Sequence, residues 1–269
     1  MQVTFLGTGT SHGVPMIGCR CAVCRSDDPR DKRWRPSVLV RFPDGTTLLV
    51  DTATDLRAQA LAFGVGRVDA ILYTHGHADH ILGLDEVRRF NNLQRAPMPL
   101  YGDRRTLDDL RRAFRYAFDP DTAPGGGVPR LSPFEVVGPF CLGPAEVVPV
   151  PIWHGARTIL GYRIGGFAYL TDCSGIPETS LPLVEGLEVL VLGALRHRPH
   201  PTHFTVSEAV AAARTIGARR TFFTHLCHDL GHADTSAELP ERTALAFDGL
   251  TIDVGEGLLA APGRTRAAG

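Results

Sequence analysis

Three histidines and one aspartate stand close together in the first third of the chain. The segment Thr74-His-Gly-His-Ala-Asp-His80 places His75, His77, Asp79 and His80 directly after a short apolar run. In an extended chain the two imidazoles of a His-x-His pair point to the same side, whereas the adjacent aspartate and histidine point in different directions. Imidazole and carboxylate together suit zinc, manganese or iron. The segment therefore predicts a metal site rather than a histidine-rich surface loop.

A second group of candidate ligands lies near the start of the chain. Cys19, Cys21 and Cys24 fall within six residues, whereas the other three of the six cysteines are scattered. The chain begins without a basic segment and a long apolar run, so we expect no secretory signal and a cytoplasmic location. Disulfides are rare there, and clustered cysteines are typical of metal binding.

The candidate ligands must be positioned mainly by strands, because short apolar runs recur along the chain. These runs are residues 3–6, 37–42, 47–51, 70–74, 146–150, 167–171, 188–192 and 220–224. Helical spacing is found in residues 106–118 and in residues 207–216, where Ser207 is the predicted N-cap and Gly217 the stop. The mixture predicts two strand-rich layers covered by a few helices.

Composition and charge restrict the class of protein. The 269 residues are 43% hydrophobic and 21% charged, with a net charge of −1. No apolar run approaches the roughly 20 residues of a membrane helix, so no membrane partner is expected. The charge argues against a stable complex with nucleic acid, which attracts an excess of basic side chains. We expect one domain, residues 1–263, with a long loop at residues 119–130 and a disordered tail at residues 264–269.

The pattern His-x-His-x-Asp-His resembles the signature of the metallo-β-lactamase superfamily. The resemblance implies an α/β fold, a four-layer αββα sandwich, with the site at the loop edge of two facing sheets. It also implies later ligands in a fixed order, which His154, Asp172 and His225 match. Two divalent ions, Mn or Zn, would then be bound by His75, His77, Asp79, His80, His154, Asp172 and His225, with Asp172 bridging. Asp51, at the end of an apolar run, is a candidate to orient one ligand imidazole.

The amino-terminal segment resembles one branch of this superfamily, the phosphoribosyl cyclic phosphodiesterases, whose founding member acts in the carbon–phosphorus lyase pathway. The resemblance is carried by Gly7-Thr-Gly-Thr-Ser-His-Gly and by the cysteine cluster that follows it. That branch has a structural zinc bound by three clustered cysteines and a distant histidine, which here are Cys19, Cys21, Cys24 and His228. Three thiolates and one imidazole complete a tetrahedral zinc site.

The same branch has a histidine that is not a ligand ahead of the last ligand. His203 stands 22 residues before His225 and takes that place. The resemblance implies that it stabilises the pentavalent transition state or protonates the leaving oxygen. His197 and His200 are alternatives on the same loop, and His200 is also a candidate to bind substrate. Arg88 is a candidate clamp for the phosphate.

The function that this resemblance implies is the hydrolysis of small cyclic phosphodiesters by a hydroxide that bridges two metal ions. The substrate would be a phosphoribosyl cyclic phosphate or a cyclic nucleotide. Two divalent cations, two aspartates and one hydroxide leave one net positive charge, which suits an anionic ester. Asp79 is expected to be catalytic because it lies inside the ligand motif and helps to place the hydroxide.

Two other functions are alternatives for this sequence, and one assembly is expected. A tRNase Z-like endonuclease would process RNA 3′ ends, but residues 119–130 are short and weakly charged for an RNA-binding arm. A relative of the PQQ-biosynthesis enzyme would share the cysteine cluster, but its active-site motif departs from His-x-His-x-Asp-His. Relatives are often dimers, so a homodimer is a further expectation.

Overall fold

Within residues 1–119, 121 and 127–255, which the computed structural model of the protein describes, fourteen strands form two sheets. The strands are β1 (Gln2–Gly7), β2 (Ser37–Arg41), β3 (Thr47–Val50), β4 (Ala70–Leu72), β5 (Met98–Gly102), β6 (Leu131–Glu135), β7 (Phe140–Leu142), β8 (Ala145–His154), β9 (Arg157–Ile164), β10 (Phe167–Leu170), β11 (Val189–Gly193), β12 (Arg220–Thr224), β13 (Thr243–Leu245) and β14 (Thr251–Asp253). The first sheet has the order β14-β1-β2-β3-β4-β5-β6 and the second has the order β13-β12-β11-β10-β9-β8-β7.

The described residues also form helices, most of which pack on the outer faces of the two sheets. They are α1 (Ala22–Arg25), α2 (Leu56–Ala62), α3 (Ala78–Ile81), α4 (Val87–Gln94), α5 (Arg104–Ala113), α6 (Arg115–Phe118), α7 (Val206–Ile216) and α8 (His232–Glu238), with short 3-10 helices at Pro29–Asp31, Leu84–Glu86 and Glu178–Val184. In the described part of the chain, no helix combines the length and the hydropathy that crossing a membrane requires.

Three apolar layers hold the sheets and helices together. Leu48 and Val50 of β3 face the second sheet, where they join a buried cluster with residues of both sheets. Leu49, between them, faces the helices outside the first sheet. A third cluster packs α7 against the outer face of the second sheet. Strands buried on both faces have continuous apolar runs, and this confirms the predicted αββα sandwich.

The strands at the centre of each sheet are parallel, which brings their carboxyl ends to the same edge. In the first sheet β3 pairs with β4 in parallel, and in the second sheet β10, β11 and β12 pair in parallel. Residues that follow these strands therefore collect along one edge of each sheet. Because the two sheets face each other, these edges can contribute side chains to one site.

Both predicted helices exist, but their boundaries differ from the predictions. The N-cap of α7 lies two residues earlier than expected: it is Thr205, which forms a capping box with Glu208, and Ser207 lies inside the first turn. The predicted helix over 106–118 is two helices, α5 and α6. Phe114 separates them with φ −119° and ψ 42°, and its side chain is buried in the apolar layer outside the first sheet.

Two sequence predictions fall wholly or partly beyond the part of the chain that is described. The tail at residues 264–269 lies outside the described residues, and so does half of the loop at residues 119–130, namely 120 and 122–126. Regular structure is found on both sides of that loop. Before it, α6 ends at Phe118, and after it, β6 pairs in parallel with β5 in the first sheet.

Candidate metal centre

Two groups of metal-ligand side chains meet at the edge where the central strands end. The first group is His75, His77, His154 and Asp172, and the second is Asp79, His80, Asp172 and His225. Within each group the ligand atoms all lie within 4.8 Å of one another. The structure thus brings together all seven residues that the resemblance named. Asp172 is the only one of them in both groups.

The carboxylate of Asp172 lies between imidazoles from both groups. Its Oδ2 is 3.3 Å from Nε2 of His225 and 3.8 Å from Nε2 of His75, and its Oδ1 is 3.2 Å from Nε2 of His80. One carboxylate therefore reaches both groups: Oδ2 lies near an imidazole of each group, and Oδ1 lies near His80 of the second. This is the geometry expected of a ligand that bridges two cations.

The imidazole nitrogens that point into the centre have no hydrogen-bond partner among the described residues. Nε2 of His75, His80 and His225 are all buried and unpaired. Leaving a buried polar atom without a partner costs free energy, and such atoms need an explanation in a native protein. Three of them converging beside carboxylates fit a set of ligands for divalent cations.

The charges around the centre also fit cation binding. Burial disfavours the ionised carboxylate of Asp172, but His225 and His80 outweigh it and hold its pKa well below its ordinary value. Burial likewise disfavours the charged form of His80, yet Asp172, Asp79 and Asp51 raise the pKa of His80 well above its ordinary value. The carboxylate of Asp172 therefore stays ionised and attracts positive charge to this point.

Hydrogen bonds on the outer side of the imidazoles fix their orientation. Nδ1 of His80 donates to Oδ2 of Asp51 over 2.7 Å, which is the orienting contact expected for Asp51. The Thr74 hydroxyl also donates to Asp51, over 2.8 Å, and lies 3.0 Å from Nδ1 of His75. Nδ1 of His154 donates to a backbone carbonyl over 2.8 Å. Nδ1 of these three rings is thus held from outside the centre, whereas Nδ1 of His225 is buried without a partner among the described residues.

Three residues at this edge adopt left-handed backbone geometry. Asp51, Asp172 and His225 have φ values of 63°, 55° and 59°, and each follows a central strand. Residues other than glycine rarely adopt this geometry, and it is concentrated at functional sites. The neighbouring Gly193 ends β11, and a Cβ there would lie 3.0 Å from the backbone nitrogen of Asp172. Residue types and their spacing identify these side chains, but they predict neither this feature of the backbone nor the supporting role of Thr74.

His203 lies beside both ligand groups. Its ring stacks on His225 with a centroid distance of 4.7 Å and lies edge-on to His154 at 4.8 Å. Its Nδ1 is 4.0 Å from Oδ2 of Asp172. Burial, reinforced by the charge of His225, lowers the pKa of His203 to about 3. The ring is therefore neutral near pH 7 and can donate a hydrogen bond to a substrate oxygen.

The other candidate residues lie at different distances from this centre. The ring of His200 is 5.0 Å from that of His203, and burial together with Arg196 lowers the pKa of His200. His197 is exposed and lines a separate cavity beside Cys21. Arg88 is on α4, pairs with Asp85 over 3.0 Å and belongs to neither ligand group, so its role as a phosphate clamp stays a prediction.

The cysteine cluster is closed by a histidine from the far end of the chain. Cys19, Cys21, Cys24 and His228 form one group, in which Nδ1 of His228 is 3.3 Å from Sγ of Cys19 and 3.4 Å from Sγ of Cys21. The backbone N–H of Cys24 lowers the pKa of Cys21 to about 6, whereas burial raises the pKa of Cys24 to about 11. At least one thiol of the group is thus readily ionised, as a metal ligand must be.

This fold and these ligand groups are those of a known superfamily. Residues 46–226 match the family model described as the beta-lactamase superfamily domain. The chain belongs to the beta-lactamase superfamily, and it is a metal-dependent hydrolase of that fold, as predicted.

Within the superfamily, one solved structure places the chain more narrowly. It is a crystal structure of a new diphosphatase from the PhnP family, 46% identical to this chain, with a TM-score of 0.89. The similarity covers 96% of this chain and 99% of that one. The predicted branch of the superfamily is confirmed by this relative.

Two curated relatives have other names. An octanoyltransferase of Porphyromonas gingivalis is 36% identical over 258 residues, which are 95% of this chain and 52% of that protein. A coenzyme PQQ synthesis protein B of Methylobacterium sp. (strain 4-46) is 30% identical over 221 residues, covering 71% of this chain and 72% of that protein. The chain spans about half the length of the first, and the transferase activity is named for that whole protein.

Proposed function

We propose that the protein hydrolyses small phosphodiesters, cyclic ones among them, at a centre of two divalent ions, Mn or Zn. The observation that carries the proposal is the position of Asp172 between the two ligand groups. The ligands are His75, His77 and His154 for one ion, Asp79, His80 and His225 for the other, and Asp172 for both. Two divalent ions in this place would supply positive charge for the oxygens of phosphorus and lower the pKa of a water molecule.

The side chains of this centre have separate tasks. Asp51 and Thr74 hold the imidazoles of His80 and His75 in orientation through their Nδ1 atoms. Asp79 is buried and ionised and lies 3.5 Å from Nε2 of His225, so it fixes ligand positions. His203, next to both groups, donates a hydrogen bond to an oxygen of the substrate, either one that gains charge in the transition state or that of the leaving group.

The second metal site is a structural zinc site at the cysteine cluster. Three sulfur atoms and one imidazole suit tetrahedral zinc without an open position for substrate. His228 follows the ligand His225 by three residues, so a zinc ion here would connect the amino-terminal loop to the segment that carries the catalytic ligand.

Cys21→Ser is expected to reduce stability more than catalysis, because loss of zinc binding is a loss of folding free energy. The measurement is thermal unfolding of the variant beside steady-state kinetics on its folded fraction. Cys141→Ser, at an exposed cysteine outside the cluster, is the control for this variant. An unchanged melting temperature with lower turnover would contradict the structural role.

Brief EDTA treatment of the protein without substitutions should remove the ions of the histidine and carboxylate centre and leave about one zinc per chain, because metal bound by thiolates is less labile.

A second candidate function is the hydrolysis of a phosphoanhydride. The observation in its favour is the 46% identity to a diphosphatase, over 99% of that chain. The same centre could serve both reactions, since each places negative charge on oxygens of phosphorus and displaces an oxygen leaving group. The choice between them depends on the group that leaves.

The experiment is an assay of purified protein loaded with Mn or Zn. The substrates are bis-p-nitrophenyl phosphate, adenosine 2′,3′-cyclic phosphate, an alkyl diphosphate and a precursor tRNA. We expect turnover of the first two, dependent on added metal. Turnover of the diphosphate alone would favour the second candidate, and cleavage of the precursor tRNA alone would favour the tRNase Z-like alternative. With no phosphorus ester or anhydride hydrolysed, the proposal would be wrong.

A further inference from the structure

His225 differs from the other imidazole ligands in the way it is held. Nδ1 of His75, His80 and His154 lies close to a polar group outside the centre, whereas Nδ1 of His225 is buried without a partner among the described residues. Because no hydrogen bond orients this ring from behind, its position depends on the backbone that carries it. That backbone is left-handed at His225, with φ 59°.

The backbone that follows His225 is held by residues from the start of the chain. Residues 225–231 form the irregular connection between β12 and α8. Leu226 donates its N–H to the carbonyl of Thr8 over 2.8 Å, and its own carbonyl accepts from the N–H of Thr10 over 3.2 Å. The amino-terminal segment thus fixes the first residue after the ligand.

The rest of the connection is held by a guanidinium. Nη1 of Arg33 donates to the carbonyl of Cys227 over 2.9 Å, and Nη2 donates to the carbonyl of Leu230 over 2.7 Å. Nη2 also donates to Oδ1 of Asp31 over 2.9 Å. The same oxygen of Asp31 accepts from the N–H of His232 over 2.8 Å. One ion pair therefore contacts the stretch from Cys227 to His232 at three points.

This ion pair is buried. The side chain of Arg33 is 0% exposed and that of Asp31 is 7% exposed. Burial lowers the pKa of Arg33 and the charge of Asp31 opposes this shift, but an arginine stays protonated in proteins. Removing two charges from water is costly, so a buried ion pair is weak evidence for stability. Its acceptors indicate another role, because two of them are carbonyls of the connection that carries His225.

We propose that Arg33 is a positioning residue for the active centre, which fixes the backbone that carries His225. The inference rests on the proposed function in one respect, namely that the ligand group containing His225 binds a divalent ion. Arg33 itself belongs to neither ligand group of the centre. Cys227 and Leu230 flank His228, so the same contacts set the distance between the active centre and the cysteine cluster.

The test is Arg33→Lys, which keeps the positive charge beside Asp31. A single ammonium group lacks the fork of the guanidinium and cannot contact both carbonyls in the same way. The dissociation constant for Mn²⁺ is measured by calorimetry after brief EDTA treatment. Mn²⁺ is the probe because carboxylates accept it, whereas clustered thiolates select zinc. We expect the dissociation constant of one active-site ion to rise by about 10- to 100-fold, as is typical for loss of a group that supports a ligand.

Two further readouts distinguish positioning from a contribution to folding alone. Activity of Arg33→Lys should fall at limiting Mn²⁺ and recover largely at saturating Mn²⁺. Backbone amides of residues 226–230 should exchange hydrogen faster in the metal-depleted variant than in the original protein. A residue that only stabilises the fold would lower the melting temperature and leave the dissociation constant of the folded fraction unchanged.

The matched control is Arg35→Lys, two residues further along the chain. Arg35 is half-buried and pairs with Asp55 over 3.1 Å, and its Nε donates to the carbonyl of Ser11. We expect the original dissociation constant and exchange rates from this variant. Asp31→Asn keeps an oxygen for Arg33 but removes the charge, so it should raise the dissociation constant by a smaller factor. It replaces Arg33→Lys in the test if that variant does not fold.

An unchanged dissociation constant for Mn²⁺ would overturn the inference. So would loss of the zinc of the cysteine cluster from Arg33→Lys together with a dissociation constant equal to that of Cys21→Ser, because the effect would then pass through that zinc. Failure of the proposed function has a different result. No phosphorus ester or anhydride would then be hydrolysed, and Mn²⁺ binding would still decide whether Arg33 positions the ligand.

Discussion

Asp172→Asn is expected to lower kcat/KM for bis-p-nitrophenyl phosphate by about 10³-fold or more, beyond the 10–100-fold typical of removing a group that supports a ligand. The amide keeps one oxygen but replaces the other with an N–H donor that faces imidazole nitrogens. It also removes the negative charge that both ligand groups share. We therefore expect the variant to bind fewer than two active-site ions per chain.

This substitution is chosen because asparagine tolerates the left-handed backbone that Asp172 adopts, at φ 55°. The fold should then persist, and circular dichroism with thermal unfolding will verify it. Elemental analysis on the same preparation measures the bound ions. Asp108→Asn is the control, because Asp108 is partly exposed on α5, pairs with Arg111 and belongs to neither ligand group. Retention of both ions with activity within tenfold of the original would contradict the bridging role of Asp172.

His203→Ala is expected to lower turnover by about 10²–10⁴-fold while the bound ions stay at their original number. His203 lies next to both ligand groups without belonging to either, so its removal should affect the transition state and not the ligands. Its neutral ring acts as a hydrogen-bond donor. The loss should thus be smaller for p-nitrophenyl esters, whose leaving group needs little support, than for adenosine 2′,3′-cyclic phosphate, whose leaving group is an alkoxide.

The measurement is turnover of both substrates and metal content on one preparation of the variant. His197→Ala serves as the matched control, because His197 is on the same loop but exposed and lines a different cavity. If His203→Ala loses bound ions, the residue is a ligand. If it keeps full activity on both substrates, His200 becomes the candidate for this role.

The predictions that succeeded from the residues alone depended on local signals. The strand at 47–51 was visible because both faces of β3 are buried, so that Leu48, Leu49 and Val50 form one apolar run. The ligand motif was also predictable from local sequence, since one short junction between a strand and a helix supplies all the ligands from His75 to His80. Helix boundaries were less accurate. Thr205 and Ser207 are both good N-caps, and the choice between them depends on where the chain enters the helix.

The ligands His154, Asp172 and His225 were predicted only from the resemblance to the superfamily, because each of them alone is an ordinary residue after a strand. Only the packing of the two sheets decided that Asp172 reaches both ligand groups and that His203 stacks on His225. The left-handed backbones of Asp51, Asp172 and His225 likewise became apparent only in the folded structure.

Long-range proximity likewise belongs to the tertiary structure. His228 lies 209 residues from Cys19 in the chain, yet their ligand atoms are 3.3 Å apart. Apolar periodicity determines which face of a strand or helix is buried, and it acts over a few residues. Which side chains then meet depends on register and on how the sheets face each other, and in this protein that arrangement defines the metal centre.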